Sequence, residues 1–405
     1  MEQVEALVVG GGQAGLAVSR ELGVRGVEHV VLERGRIGQT WRDWGASFCL
    51  VTPNGRVQLA EHHYDGSDPD GFMPRDDLVA YLERYAASVD APVREGIEVR
   101  SLESTDQGRF VARTTAGDYR TEHVVLANGS YQRPHLPPGG DDLPADLQRI
   151  DLTGYRSTDA LPDGHVLIVG SGQSGCQLAE ELHEAGRDVF LACGRAPWAP
   201  RRIGDHDIVW WAAESGFLDL GPETLAGPEA RLDANVLTTG HDGGHDLHLR
   251  TLQELGVTLM GRFVGATAHR ASFAPDLAAT VAWGDERHNR LMDFLRAFAS
   301  SRSIELPDVA EPPPFDASTA PEELNLAGFG AVIFTGGFRP DYGSWLAWPE
   351  AFDSLGFPRH HDGASTVVPN LYFVGVHFLR KRKSSTLYGV GEDAAVVAET
   401  ISSRR

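Results

Sequence analysis

One glycine-rich segment occurs twice in this chain, at a separation of 160 residues, and no other feature restricts the fold as much. Residues 7–15 read LVVGGGQAG and residues 167–175 read LIVGSGQSG. In each copy an apolar run too short for a helix enters a G-x-G-x-x-G loop. A helical pattern then leaves it, with Leu16, Ala17 and Leu22 in the first copy and Leu178, Ala179 and Leu182 in the second. Each copy goes on to a second apolar strand, at residues 29–32 and 189–192. Strand, helix and strand in that order make a βαβ unit with parallel strands. The pattern predicts an α/β chain with two Rossmann-like dinucleotide-binding domains.

The three glycines of the loop have separate tasks. Gly10 permits the tight turn, Gly12 lets backbone amides approach a pyrophosphate, and Gly15 lets the helix pack closely on the strand. Gln13 and Ala14 complete the loop, and the positive end of the helix faces the phosphates. Glu33 ends the second strand 18 residues after Gly15, near the place of the acid that accepts hydrogen bonds from ribose hydroxyls; Arg34 stands beside it. The plain alternative is a glycine-rich turn in an unrelated α/β fold. The second loop carries Gly170, Gly172, Gln173, Ser174 and Gly175, but its second strand ends in Cys193-Gly194-Arg195 with no acid. Arg195, 20 residues after Gly175, suits a 2′-phosphate, and Arg201 and Arg202 can add to that preference. The alternative for each arginine is a solvated surface cation. An acid in one site and an arginine in the other point to two different dinucleotides, FAD first and NADPH second, because hydride passes between them.

Between the copies, residues 97–101, 109–114 and 123–127 read as a β-meander, and residues 76–87 as an amphipathic helix with Leu78, Leu82 and Tyr85 on one side. Two Pro/Gly-rich stretches, 133–142 and 306–321, look like linkers. Strands at 331–335 and 371–374 and a helix at 392–401 close the chain. The expected organisation is a first domain at 1–155, a second at 156–325 with a helical insertion, and completion of the first by 326–405, so that the second is inserted into the first. Asn128-Gly129 and Thr335-Gly336, each ending an apolar strand near a crossing between domains, are candidate cofactor contacts or simple turns.

Composition narrows the partners. The chain has 405 residues, and 57 acidic against 36 basic side chains give a net charge of -21, which repels nucleic acid and anionic lipid. Cys49, Cys176 and Cys193 form no CxxC pair, so a disulfide scaffold, a zinc knuckle and a dithiol centre are not expected. The histidines show no metal-ligand spacing. With no signal peptide or spanning helix visible, the default expectation is cytoplasmic, without nucleic acid, membrane or metal, and with a homodimer allowed.

The segments GGGQAG, IGQTWRDW, LVTPN, VVLANGSYQRPHLP, GSGQSG and NLYFVGVHF followed by GVGEDA resemble the flavin-containing monooxygenase superfamily, in particular bacterial single-component flavoproteins related to the plant YUCCA enzymes. The resemblance implies FAD and NADPH as cofactors and O2 and a small molecule as substrates. One oxygen atom would be inserted through a flavin peroxide, with N- or S-oxygenation ahead of Baeyer–Villiger chemistry. It places Gly38, Thr40 and Trp41 against the isoalloxazine and ribityl chain, Val99 beside the adenine, and Asp393 at a helix start bordering the flavin. Asn54, after Leu50-Val51-Thr52, becomes the catalytic candidate whose amide helps hold NADP and the peroxide; its alternative is an Asn-Gly turn. The family's Ala-Thr-Gly-x signature is altered at residues 127–130 and 334–337. A histidine motif that precedes the second loop in the family is altered too: Asp151 stands at the histidine position and Tyr155 alone survives. The basic stretch Arg380-Lys381-Arg382-Lys383 is expected to face cofactor phosphates or an acidic substrate. Two other readings stay open, an NAD(P)H-dependent flavin oxidase or reductase and a non-catalytic flavin-binding accessory protein.

Overall fold

The computed structural model describes residues 1–105 and 108–404; Asp106, Gln107 and Arg405 lie outside the described residues. Strand β1 (Glu2–Val9) runs through the first glycine loop into helix α1 (Gln13–Val24) and returns as β2 (His29–Leu32). Strand β3 (Gly117–Leu126) lies parallel to β1 on its other side, so β1 is central and paired along both edges. The two-residue period of a strand sends alternate side chains of β1 to opposite faces. Ala6 and Val8 enter one core with Leu16, Leu22 and Tyr85, whereas Leu7 and Val9 enter another with Leu102, Phe110 and Tyr119 of the meander.

The second unit repeats this plan. Strand β4 (Gln148–Asp151) precedes β5 (His165–Val169), which runs through the second glycine loop into helix α2 (Gln173–Glu184) and returns as β6 (Val189–Ala192). Strand β7 (Thr258–Met260), the long helix α3 (Leu277–Arg302) and strand β8 (Phe329–Phe334) follow. The second sheet has the order β4-β8-β5-β6-β7, all parallel. Val166 and Ile168 face one of its cores and Leu167 and Val169 the other. The chain then goes back to the first sheet as β9 (Leu371–Phe373), parallel to β3, and ends in α4 (Val390–Ser402), whose Ala394, Val397 and Ile401 share a core with Leu16 and Leu22 of α1.

The insertion is therefore present, but with shifted limits. Both β4 (148–151) and β8 (329–334) belong to the second sheet, on either side of the 156–325 span expected for the second domain. A short strand does not reveal which of two sheets it will join, because pairing partners are remote in sequence. The outgoing and returning crossings lie side by side, with Arg133–Pro134 antiparallel to Phe338–Arg339. The meander is three antiparallel strands, Val99–Ser104, Phe110–Thr114 and β3. Among the described residues no helix is long and apolar enough to cross a membrane.

The loop glycines differ in what a side chain would meet. A Cβ at Gly15 would lie 1.8 Å from the Gly10 carbonyl oxygen, whereas a Cβ at Gly12 would meet nothing within 4 Å. Gly12 also has φ -86, which any residue accepts. Gly15→Ala should therefore force α1 off β1 and destabilise the protein by about 3 kcal/mol. Gly12→Ala should leave the melting temperature of the flavin-free protein unchanged. Thermal unfolding of the two variants side by side measures the contrast.

Candidate functional site

At the first loop, Gly10 has φ +111, and a Cβ there would approach the Ala127 carbonyl oxygen to 2.8 Å. The turn is thus wedged against the end of β3, beside Asn128. Helix α1 begins at Gly12 with no side-chain cap, so its first-turn amides are left for an external acceptor in the open space at Gly12. The Glu33 carboxylate is buried and accepts from the Gly11 amide at 2.7 Å and the Gly35 amide at 2.8 Å. A carboxylate has about four acceptor directions, so capacity remains for ribose hydroxyls. Gly38 sits at a left-handed φ of 71, its amide bonded to the Gly11 carbonyl, and starts the short helix that carries Thr40 and Trp41. The Trp41 indole donates to Gln13 Oε1 at 3.0 Å, and Gln13 Nε2 donates to the Ser385 carbonyl at 3.3 Å. One glutamine so ties the loop to two remote segments. Arg34 and Thr40 are exposed, and Val99 follows Ile97, whose amide donates to the Glu33 carbonyl. Gly375 presses on Ala14, where a Cβ would come within 2.6 Å of the Ala14 methyl. These geometries fit a dinucleotide pyrophosphate and ribose, the FAD expected at this end of the chain.

The second loop copies the first with a different support. Gly170 has φ +116, and a Cβ at Gly175 would lie 1.9 Å from the Gly170 carbonyl oxygen. Thr335 Oγ1 donates to the Gly170 carbonyl at 2.7 Å, so Thr335, with Gly336 after it, holds the loop from behind with its one hydroxyl proton. Here too the second glycine, Gly172, leads an uncapped helix, with Ala234 opposite it. Gln173 is bonded through both ends of its amide to the Thr238 backbone, and Ser174 faces the cleft between the units beside Trp44, Tyr155 and His241. Arg195 is exposed beside Trp283, its guanidinium 5.9 Å from the ring centre. The expected trio of arginines does not assemble. Arg202 lies on a hairpin near the Gly243 carbonyl, 3.5 Å away, and Arg201 is buried elsewhere.

Arg201 is 1% exposed and paired to Asp207 at 2.8 Å. It reaches from the second unit into the first, donating to the Val51 carbonyl at 2.8 Å and lying 4.3 Å over the Phe72 ring. It therefore locks the joint instead of meeting a 2′-phosphate, because an arginine with no exposed surface cannot meet a solvent-borne ligand. Three residues beyond Val51, Asn54 is buried at the head of a 3₁₀ turn, with Gly55 bonded to the Pro69 carbonyl. Asn54 Nδ2 donates to the Asp68 carbonyl at 2.9 Å, and Oδ1 is buried without a partner. Flipping the amide would oppose two oxygens, so Oδ1 is the amide atom left without any partner. Asn128 likewise leaves a buried, unpartnered Oδ1, and the Gly129 carbonyl is taken by Gln132 and Tyr342. At the altered histidine position, Asp151 accepts from the Thr153 and Gly154 amides and makes a turn. Tyr155 packs under Gly45 and donates to Glu181 at 2.7 Å.

The basic stretch faces inward partners. Lys381 and Lys383 both pair with Asp219 and Glu392, Arg380 pairs with Asp362 and Asp393, and Arg382 lies between the Phe217 and Phe378 rings. The expectation of a phosphate-binding or substrate-binding patch is corrected accordingly, since carboxylates of the same chain already pair with Arg380, Lys381 and Lys383. Asp393 is buried with Oδ1 on Arg380 and Oδ2 unpartnered. All three cysteines are buried, and burial pushes Cys49 up to about 11, Cys193 up to about 12 and Cys176 well above its usual value. Among the described residues no group of three His, Cys, Asp or Glu could hold a metal. Gly375 and the buried His377 lie in the NLYFVGVHF segment that carried the resemblance but received no role from it, and Ser385 was not singled out; all three are on the segment that returns after β9.

Breaking the lock has a predictable cost. Arg201→Met leaves the buried Asp207 carboxylate unpaired and should destabilise by about 3–5 kcal/mol, most of which Arg201→Met/Asp207→Leu should restore. Burial already lifts the Asp207 carboxyl above its usual range. In the single variant the deficit should accordingly be full near neutrality and shrink as pH falls through that raised value. Denaturant unfolding at two pH values checks both statements.

A family model described as pyridine nucleotide-disulphide oxidoreductase matches residues 7–208. An uncharacterized CzcO-like oxidoreductase of Geobacillus kaustophilus is 28% identical over 98% of each chain. The indole-3-pyruvate monooxygenase YUCCA4 of Oryza sativa subsp. japonica is 27% identical over 55% of this chain and 58% of its own. The solved flavin-containing monooxygenase from Stenotrophomonas maltophilia superposes with a TM-score of 0.70 at 18% identity, covering 100% of this chain and 99% of that one.

Proposed function

From the premise that the chain belongs to the flavin-containing monooxygenase superfamily and is an oxidoreductase with FAD and NADPH as cofactors, we propose that it transfers one oxygen atom from O2 to a nitrogen or sulfur of a small molecule. The observation that carries this reading is the state of the cysteines. Electrons that enter from NADPH need an acceptor, and thiol–disulfide exchange requires an accessible thiolate. Here every thiol is buried and raised, so no cysteine can relay them. A disulfide acceptor is therefore disfavoured, and oxygen is the acceptor this proposal assigns. Bound flavin, once reduced, supplies the oxygen activation.

The chain's own residues then have distinct tasks. The uncapped end of α1 holds the flavin pyrophosphate, and Glu33 accepts from the ribose. The uncapped end of α2 holds the pyrophosphate of NADPH. Asn54 contributes Oδ1 as a buried acceptor for an N–H of the nicotinamide amide or of an amine substrate, with Asp68 fixing the amide's orientation. The Arg201 bond to the Val51 carbonyl keeps the Asn54 loop in place and water out of the joint. Tyr155 and Arg156 are committed to contacts with the first unit, Tyr155 under Gly45 and Arg156 through the Asp43 carbonyl at 2.9 Å.

Asn54→Asp should leave flavin reduction by NADPH intact and divert oxygen. The new carboxylate oxygen would face the Asp68 carbonyl in a buried site and disturb the loop, so hydrogen peroxide released per NADPH should rise about tenfold while product falls. Assays of NADPH, peroxide and product with a panel of amines and sulfides test it. If the unmodified protein returned one peroxide per NADPH with every compound, the activity would be that of an oxidase and the oxygenation reading would fail.

A further inference from the structure

Helix α3 brings a second arginine to the place where Arg195 ends the second nucleotide unit. The helix is docked through its small residue: a Cβ at Gly284 would lie 3.1 Å from the Ala196 carbonyl oxygen and 3.4 Å from Trp198. Asp285 fixes the same face by accepting from the Trp198 indole at 3.0 Å and from Arg250 at 2.6 Å. Trp283 and Arg287, one helical turn apart, are thereby held beside Arg195. The Arg287 guanidinium is 4.8 Å from the Trp283 ring centre and that of Arg195 is 5.9 Å from it.

Among the described residues neither arginine has a carboxylate within salt-bridge distance. Both are near the exposed Asp233, whose carboxyl is lifted by partial burial and pulled back by Arg287 and then by Arg195. The 233–234 loop adjoins the second glycine of the NADPH cradle, since a Cβ at Gly172 would be 3.7 Å from the Ala234 methyl. Two guanidiniums over one ring repel each other, and a single nearby acid offsets only one of them. A dianion between them would be met by two planar forks.

We propose that Arg287, spaced from Arg195 by Trp283, is the second half of a clamp for the 2′-phosphate of NADPH. This rests on the assignment of the second loop to NADPH. The sequence places the two arginines 92 residues apart, and only the docking of α3 joins them.

The test is calorimetric binding of 2′,5′-ADP and of 5′-AMP to the FAD-loaded protein, which needs no turnover. The unmodified protein should bind 2′,5′-ADP at least tenfold more tightly than 5′-AMP. Arg287→Ala and Arg287→Gln should each weaken 2′,5′-ADP about tenfold and leave 5′-AMP within twofold, and Arg287→Lys should keep most of the preference. Arg287→Gln retains much of the side-chain stem, so a folding defect in the alanine variant would not hide the result. If both variants bound 2′,5′-ADP as the unmodified protein does, while Arg195→Ala lost the preference, the clamp would be wrong and the NADPH assignment would stand. If the unmodified protein bound the two nucleotides equally, the assignment of the second loop would fail with it.

Discussion

Everything in this molecule depends on how near a helix can come to the strand that feeds it. At Gly15 and at Gly175 the helix backbone sits where a Cβ would be under 2 Å from the carbonyl oxygen of the loop's first glycine. That proximity directs the first-turn amides of each helix at the space over the second glycine, Gly12 or Gly172. A side chain at the third glycine would lift the helix away and disperse the anion site, with the core beneath it. Each loop is also held from outside its own unit of sequence. The end of β3 wedges Gly10, and the Thr335 hydroxyl after β8 bonds to Gly170.

The second organising contact is the joint. The crossings at 133–134 and 338–339 form a short antiparallel ribbon, and Arg201 with Asp207 closes the far side against the 49–73 segment. Further along, Arg382 and Lys383 bond through their amides to the Leu220 and Leu218 carbonyls, while Asp219 takes both lysines. The residues that part of the helical insertion contributes therefore clamp the returning C-terminal segment. The proposed passage of hydride between two dinucleotides needs their spacing held, because a small error in distance or orientation between donor and acceptor costs much of the rate.

Several residues had the right type and the wrong task. The Lys381–Lys383 region reads as a charged patch because Asp219, which takes both lysines, lies 162 residues from Lys381. Arg201 reads as a twin of Arg195 although one is buried and paired and the other exposed. Asn54 was legible as a turn residue and as a polar group near the site, but which of its amide atoms is free depends on the Asp68 carbonyl, 14 residues later. Arg287 carried no sequence signal, since an arginine inside a helical pattern is ordinarily a solvated cation.

The sequence by itself determined the two strand–loop–helix units, the tasks of Gly10, Gly15, Gly170 and Gly175, and the acid at Glu33. These rest on contacts between residues close along the chain, where turn geometry and side-chain volume leave one solution. Tertiary structure alone decided that β4 and β8 join the second sheet, that Asp219 pairs with both lysines of the basic stretch, and that Arg195 has a neighbour on α3. Strand pairing, ion pairing and helix docking take their energy from groups that are remote in sequence and meet only when water is excluded between them. No local pattern encodes which of several chemically equal partners will be the one that arrives.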